Sequence, residues 1–150
     1  MSHNHDTSKL DDLIVTLIDS VKGFEHSADK AEAARYRDFF LEMARDRHEA
    51  VTALQAASRA EGGSPADYGS AAATLHRRIE DLRVALGGGD AAIVREVERG
   101  EDYLKEEFER VLADELMSPG AMAAVRDAYA SVRRGHDRAS ALKHALESAD

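Results

Sequence analysis

Two pairs of charged residues in the second half of the chain have the spacing of groups that act together. Glu98 and Glu101 lie three residues apart in "VREVERGEDYLKEEF", residues 94–108, so a helix would place both carboxylates on one side. Arg133 and His136 repeat this spacing in "RRGHDR". Carboxylates and imidazoles bind divalent metal ions, and they also form charge-assisted hydrogen bonds. The elements that position these residues decide which chemistry is available.

Apolar residues recur at steps of three and four along most of the chain, which predicts helices. Four long helices are expected over about residues 8–28, 29–60, 91–114 and 119–146, with a shorter one over about 70–86. Asp29 and Glu32 have the spacing of a capping box that would open the second helix. Asp90 is expected to cap the next long helix, and Ser118 followed by Pro119 is expected to begin the last.

The short helix matters for topology. About 17 residues of helix rise roughly 25 Å, close to the length of the bundle itself. A connection of that length can return the chain from one end of a bundle to the other, and ferritin-like bundles have one such crossover. The sequence therefore predicts an all-α, ferritin-like four-helix bundle as a single domain over residues 8–147, preceded by a disordered tail over residues 1–7.

Composition excludes several classes of function. The 150 residues carry a formal charge of −9, which disfavours non-specific binding to nucleic acid or to an anionic membrane. The absence of cysteine excludes disulfides, thiolate metal sites and thiol nucleophiles. No basic segment followed by an apolar one indicates a signal peptide, and no apolar run reaches the roughly 20 residues that span a bilayer. We expect a cytoplasmic protein.

A di-iron centre is not expected. Such bundles use a Glu-x-x-His pair on each of two helices, and none of the seven histidines has glutamate three positions before it. Arg45 precedes His48 and Arg133 precedes His136 at this spacing, and a guanidinium repels a bound cation. No cofactor is therefore predicted.

The spacing instead favours ion pairs between the last two helices. If their connection is centred near Ser118, Glu98 lies opposite His136 and Glu101 lies opposite Arg133. We predict a structural polar network of Glu98, Glu101, Arg133 and His136. Two alternatives stay open. The groups are exposed to water, or a single Fe, Mn or Zn ion is held by Glu25, Glu98, Glu101 and His136.

Gly100 lies inside the same predicted helix, where glycine costs roughly 1 kcal/mol relative to alanine. One interpretation is close helix packing, or room for a neighbouring ring such as that of Phe24. The other is a small cavity beside Glu101 that holds a ligand or water.

Three segments carry a resemblance to a known family: "LIVTLIDSVKGFEHSA", "ALGGGDAAIVREVERGED" and "YASVRRGHDRASAL". They resemble an uncharacterised bacterial family of ferritin-like four-helix bundles, classed as a domain of unknown function. The resemblance extends from about Leu10 to Leu142 and is most specific in "ERGED" and "HDR". It implies the long-crossover bundle but no reaction, and it marks as motif positions Glu98, Gly100, Glu101, Asp102, His136 and Asp137.

These observations predict a non-enzymatic structural or interaction module, with a role in stress suggested only by analogy with ferritin-like relatives. We expect a homodimer or a complex with another protein, and small residues such as Ala71–Ala73 would allow close helix contact. The alternative function is a metal-binding oxidase or storage protein with a reduced carboxylate and histidine site.

Overall fold

The computed structural model describes residues 2–69 and 89–148, which form helices and no strand. The four helices of this part are α1 (Ser2–Lys30), α2 (Ala34–Ala60), α3 (Asp90–Leu112) and α4 (Pro119–Ser148). The predictions of an all-helical chain and of four long helices are confirmed. The predicted short helix over about residues 70–86 lies outside the described residues. No helix in the described ranges is long and apolar enough to cross a membrane.

The first helix begins earlier than the sequence indicated. Helix α1 includes residues 2–7, which were predicted to form a disordered tail. Asp6 is fully buried, and its Oδ1 accepts the Ser118 N–H at 3.0 Å. His5 Nε2 lies 2.7 Å from Asp114 Oδ2. These partners are more than 100 residues away in the chain, so local sequence could not reveal that they anchor the start of α1.

The turn between α1 and α2 is held by a distant carboxylate and not by a local capping box. Asp29 lies inside α1, and the N-cap of α2 is Ala33, which has no side-chain cap. Asp90 does not cap α3, whose N-cap is Gly89. Its carboxylate instead accepts the N–H groups of Glu32 and Ala33 at 2.8 and 2.9 Å. Asp90 therefore joins the start of α3 to the α1–α2 turn.

The start of α4 follows the prediction. The helix begins at Pro119, where a missing backbone N–H has no consequence. Ser118 precedes it, and its Oγ accepts the Ala121 N–H at 3.3 Å while its carbonyl accepts the Met122 N–H at 2.9 Å.

These contacts fix the directions of the helices. Asp6, Asp114 and Ser118 meet at one end of the bundle, whereas Ala33 and Asp90 meet at the other. Helices α1 and α4 therefore run away from the Asp6 end, and α2 and α3 run toward it. Helices α2 and α3 are therefore parallel, and the end of α2 and the start of α3 lie at opposite ends of the bundle.

The first residues after α2 run back along α1. After α2, the Ala66 N–H donates to Asp11 Oδ1 at 2.7 Å, and Gln55 donates to the Ala66 carbonyl at 2.9 Å. Gly69 then lies against Ile18 and Asp19. The chain thus advances along α1, from Asp11 toward Asp19, before the end of the first described range.

Each helix packs mainly against two others. Helix α1 packs on α2 and α3, and α4 packs on the same two, so α1 lies diagonally opposite α4 and α2 lies diagonally opposite α3. Buried apolar side chains form one cluster in the Asp6 half, which includes Leu10, Leu17, Leu54, Phe108 and Val125. A second cluster in the Asp90 half includes Phe24, Tyr36, Phe40, Met43 and Val94. Two buried charged residues, Arg47 and Glu101, lie between the clusters in sequence order on α2 and α3.

Candidate functional site

An ion pair between Arg47 and Glu101 crosses the centre of the bundle. Arg47 Nη1 donates to Glu101 Oε1 at 2.9 Å, and Nη2 donates to Oε2 at 2.7 Å. Neither residue has more than 2% of its surface exposed. The two parallel hydrogen bonds match the planar guanidinium to the planar carboxylate. The pair joins α2 to α3, which are diagonal helices with few other contacts.

Helix α1 supplies two more contacts to the guanidinium. Arg47 Nη1 also donates to Ser20 Oγ at 2.8 Å. The Phe24 ring centroid lies 5.4 Å from Arg47 Cζ, within the range of a cation–π interaction. The buried Arg47 Nε has no hydrogen-bond partner among the described residues. The guanidinium thus makes three hydrogen bonds, and the Glu101 carboxylate balances its charge.

Helix α4 makes room for the pair through Gly135. A Cβ at this position would collide with Arg47 Nη2, lie 2.5 Å from Met43 Cε and lie 3.0 Å from Glu101 Oε2. A side chain at this position would have to displace the ends of the Arg47 and Met43 side chains, so the glycine leaves room for the ion pair. All four helices thus contribute to one site, which we call the central ion-pair site and define as Ser20, Phe24, Arg47, Glu101 and Gly135.

The sequence positions this site through the apolar pattern of α2 and α3. Arg47 lies on the buried stripe of α2, seven residues after Phe40 and seven before Leu54. Glu101 occupies the equivalent place on α3, three residues before Leu104 and seven before Phe108. Arg47 was not among the residues predicted for the site. The available signal was a long cation at a core position of an otherwise apolar stripe.

The predicted pair of Glu101 with Arg133 is wrong, since the Glu101 carboxylate is bound by Arg47. Arg133 is exposed, and its charge helps to lower the pKa of the Glu109 carboxyl. The pKa of the Glu109 carboxyl is lowered first by the Tyr129 hydrogen bond and then by Lys105, and Arg133 adds a smaller effect. Arg133 therefore belongs to a surface cluster and not to the buried network.

The predicted pair of Glu98 with His136 is also wrong. His136 Nε2 lies 2.6 Å from Asp102 Oδ1, and Glu98 Oε2 lies 3.6 Å from Lys143 Nζ. In the observed contacts Asp102–His136 and Glu109–Tyr129, the midpoint between the two residue numbers is 119. In both predicted pairs the midpoint was 117. A shift of two positions in the centre moves the partner by four residues, about one helical turn.

The family described as a domain of unknown function, DUF2383, matches residues 6–114. The chain belongs to this family. The match agrees with the sequence resemblance to an uncharacterised family, and it includes Arg47 and Glu101 but ends before Gly135 and His136. No curated protein matches the chain.

The four metal-ligand candidates do not form one site in this DUF2383 chain. Glu25 is exposed on α1, Glu98 faces Lys143, His136 faces Asp102 and Glu101 is bound by Arg47. Within residues 2–69 and 89–148, no three histidine, aspartate or glutamate side chains are grouped so that they could hold a metal ion.

Neither of the two roles predicted for Gly100 is found in the part of the chain that the structure describes. The residue is exposed, and a Cβ added there would have no neighbouring atom within 4 Å. Within residues 2–69 and 89–148, no ring or neighbouring helix packs on Gly100, and it lines no cavity beside Glu101. The adjacent Glu101 is buried because one residue along a helix rotates the side chain by roughly 100°. The central ion-pair site thus lies beside Gly100 in sequence but on another face of α3.

Proposed function

We propose that this DUF2383 chain is a ferritin-like four-helix bundle that acts as a non-enzymatic structural or interaction module. The topology supports the proposal of a ferritin-like bundle. Helices α2 and α3 run parallel, so the connection between them passes from one end of the bundle to the other, as in bundles with one long crossover.

The Arg47–Glu101 pair is the observation that supports a non-enzymatic role. In metal-binding bundles of this topology, carboxylates and histidines project into the centre and hold the ions there. Here Arg47 brings a fixed positive charge to the centre and uses both oxygens of Glu101. A divalent cation beside Glu101 would meet the repulsion of the guanidinium, so the arginine takes the place of a metal ion.

The pair also suits a structural role. Breaking one partner of a buried ion pair leaves an uncompensated charge and costs about 3–5 kcal/mol, even where the intact pair contributes little net stability. Because Arg47 on α2 contacts groups on α1 and α3 and packs on Gly135 of α4, wrong helix registers would bury unpaired charge. The pair therefore favours one arrangement of the four helices.

Metal binding to the untagged protein tests this function. The purified chain is incubated anaerobically with Fe(II), Mn(II) or Zn(II), desalted and subjected to elemental analysis. We expect no stoichiometric metal in the wild type. The variant Arg47→Met serves as a comparison, since it removes the guanidinium and leaves the Glu101 carboxylate free. Metal retained only by this variant would show that the arginine is what prevents binding.

The opposite result would support the alternative function. One ion per wild-type chain, lost in both Glu101→Gln and His136→Ala, would indicate a metal-binding oxidase or storage protein that uses Glu25, Glu98, Glu101 and His136. The exposed His48→Ala variant is the matched control for loss of a histidine.

Association with a second chain is part of the same proposal. An interaction module without a reaction acts through its surface, and we expect a homodimer or a complex with another protein. Light scattering on the eluting peak measures this directly, since a dimer has twice the 16.4 kDa mass of the chain. The segment Ala71–Ala73, predicted as a contact, lies outside the described residues.

A further inference from the structure

Charged contacts hold α4 on both of its sides. Toward α2, Arg138 Nη1 lies 3.1 Å from Glu42 Oε1, and Arg134 Nη2 lies 3.3 Å from an oxygen of Asp46. Toward α3, the corresponding contacts are Asp102 with His136 at 2.6 Å and Glu98 with Lys143 at 3.6 Å. In each of these four contacts the cation comes from α4 and the acid from its neighbour.

The buried face of α4 is made mostly of small side chains. Its members are Ala121, Met122, Val125, Ala128, Ser131, Val132, Gly135 and Ala139. The buried face of α1 instead carries Leu10, Leu13, Ile14, Leu17 and Phe24. Because the hydrophobic contribution follows the apolar area that is buried, α4 gains less from burial per residue than α1 does. Its charged contacts consequently have a larger share in holding it.

His136 differs from the other three cations of α4 because an imidazole changes charge near neutral pH. Both of its ring nitrogens face carboxylates, with Nε2 at 2.6 Å from Asp102 and Nδ1 at 3.4 Å from Asp137. A neutral imidazole carries one N–H, so one nitrogen would point a lone pair at an anion. An imidazolium donates from both nitrogens. The geometry therefore fits the protonated ring.

We propose that His136 is a proton-dependent clasp that holds α4 against α3, and that loss of its proton loosens α4 from the bundle. The clasp regulates how firmly the last helix is docked, which goes beyond the structural role proposed above and does not depend on it. His136 is partly buried, with 19% of its side chain exposed, so water does not fully screen its contacts.

The charged groups around His136 set the direction of the pH dependence. Burial lowers the pKa of His136, but hydrogen bonds to Asp102 and Asp137 together with the charge of Asp102 outweigh it, and Lys105 opposes them weakly. The net result is a raised pKa. The contacts of His136 therefore contribute their full stabilisation below about pH 6.5, the ordinary pKa of histidine. It is lost as the pH rises through the raised pKa of the folded protein.

Two measurements on the full chain test the clasp. NMR titration of the histidine rings gives the pKa of His136, which we expect to be raised in the wild type and to fall in Asp102→Asn. Hydrogen exchange, corrected for its intrinsic pH dependence, gives the protection of α4 amides relative to those of α1. We expect this relative protection to fall about twofold to tenfold as His136 loses its proton, the range for one partly exposed charged contact.

Matched variants separate the clasp from a general effect of pH. His136→Gln should show no such fall between pH 6 and pH 9, whereas His144→Gln, at an exposed position of the same helix, should behave like the wild type. The proposal is overturned if the pKa of His136 is ordinary or low. It is equally overturned if α4 protection has the same pH dependence in His136→Gln and the wild type. If His136→Gln does not fold, the pKa of His136 measured in the wild type tests the proposal.

Discussion

Gly135 lies so close to Arg47 that a single methyl group at the glycine would collide with the guanidinium. The two residues lie on α4 and α2, and Glu101 of α3 is the third group in the contact. A buried charge pair has to be hydrogen-bonded by the protein, and Gly135 lets α4 approach closely enough to enclose the Arg47–Glu101 pair. The glycine and the ion pair are thus parts of one arrangement, and a change in either should affect both.

Gly135→Ala should therefore destabilise the protein. Inserting a methyl group into a well-packed core typically costs about 1–3 kcal/mol, and this methyl group would disturb a bidentate ion pair. Urea unfolding followed by circular dichroism measures the change. The matched control is Gly100→Ala, at an exposed helical position with open space around it, which should stabilise by about 0.5–1 kcal/mol. Equal effects of both substitutions would contradict the packing described for Gly135.

The Arg47–Glu101 pair should show strong coupling in a double-mutant cycle. Arg47→Met and Glu101→Leu should each cost about 3–5 kcal/mol, because each leaves one buried charge without its partner. The double variant should be much less destabilised than the sum of the two, since it buries no charge. Unfolding free energies of the four proteins give the coupling. Additive effects would show that the two charges are independent, contrary to the distances.

The sequence predicted the helices well and the contacts between them poorly. Apolar periodicity located all four long helices, and the Ser118–Pro119 pair marked the start of α4. Such features depend on neighbours within one or two turns. The capping box at Asp29 failed because Asp90, far away in the chain, satisfies the N–H groups of the α1–α2 turn.

The site shows the same limit. The partner predicted for Glu101 was Arg133 on the adjacent α4, whereas the Glu101 carboxylate is bound by Arg47 on the diagonal helix α2. Counting residues from a turn can pair only helices that are joined by that turn, so it could not lead to Arg47. Counting also paired His136 with Glu98, whereas its partner is Asp102, about one helical turn away. The sequence cannot show whether the midpoint of the hairpin lies at residue 117 or at residue 119.

Asp90→Ala should loosen the end of the bundle at the α1–α2 turn. The carboxylate accepts the N–H groups of Glu32 and Ala33 in the turn between α1 and α2, and leaving such groups unsatisfied costs about 1–3 kcal/mol. We expect a lower unfolding free energy and faster hydrogen exchange at Glu32 and Ala33. Glu106→Ala, at an exposed position of α3, is the control and should change neither. Unchanged exchange at both amides in Asp90→Ala would refute the contact.

The start of α1 should be required for stability, although the sequence suggested a disordered tail. Asp6 is fully buried and accepts the Ser118 N–H just before α4 begins, where a carboxylate also interacts favourably with the positive end of the helix dipole. Asp6→Ala removes both interactions and should lower the free energy of unfolding by about 1–3 kcal/mol. Asp12→Ala, at an exposed position of the same helix, is the matched control and should have little effect. Thermal unfolding of the two variants beside the wild type makes the comparison. If Asp6→Ala and Asp12→Ala melt together with the wild type, residues 2–7 do not anchor α1 to the end of the bundle.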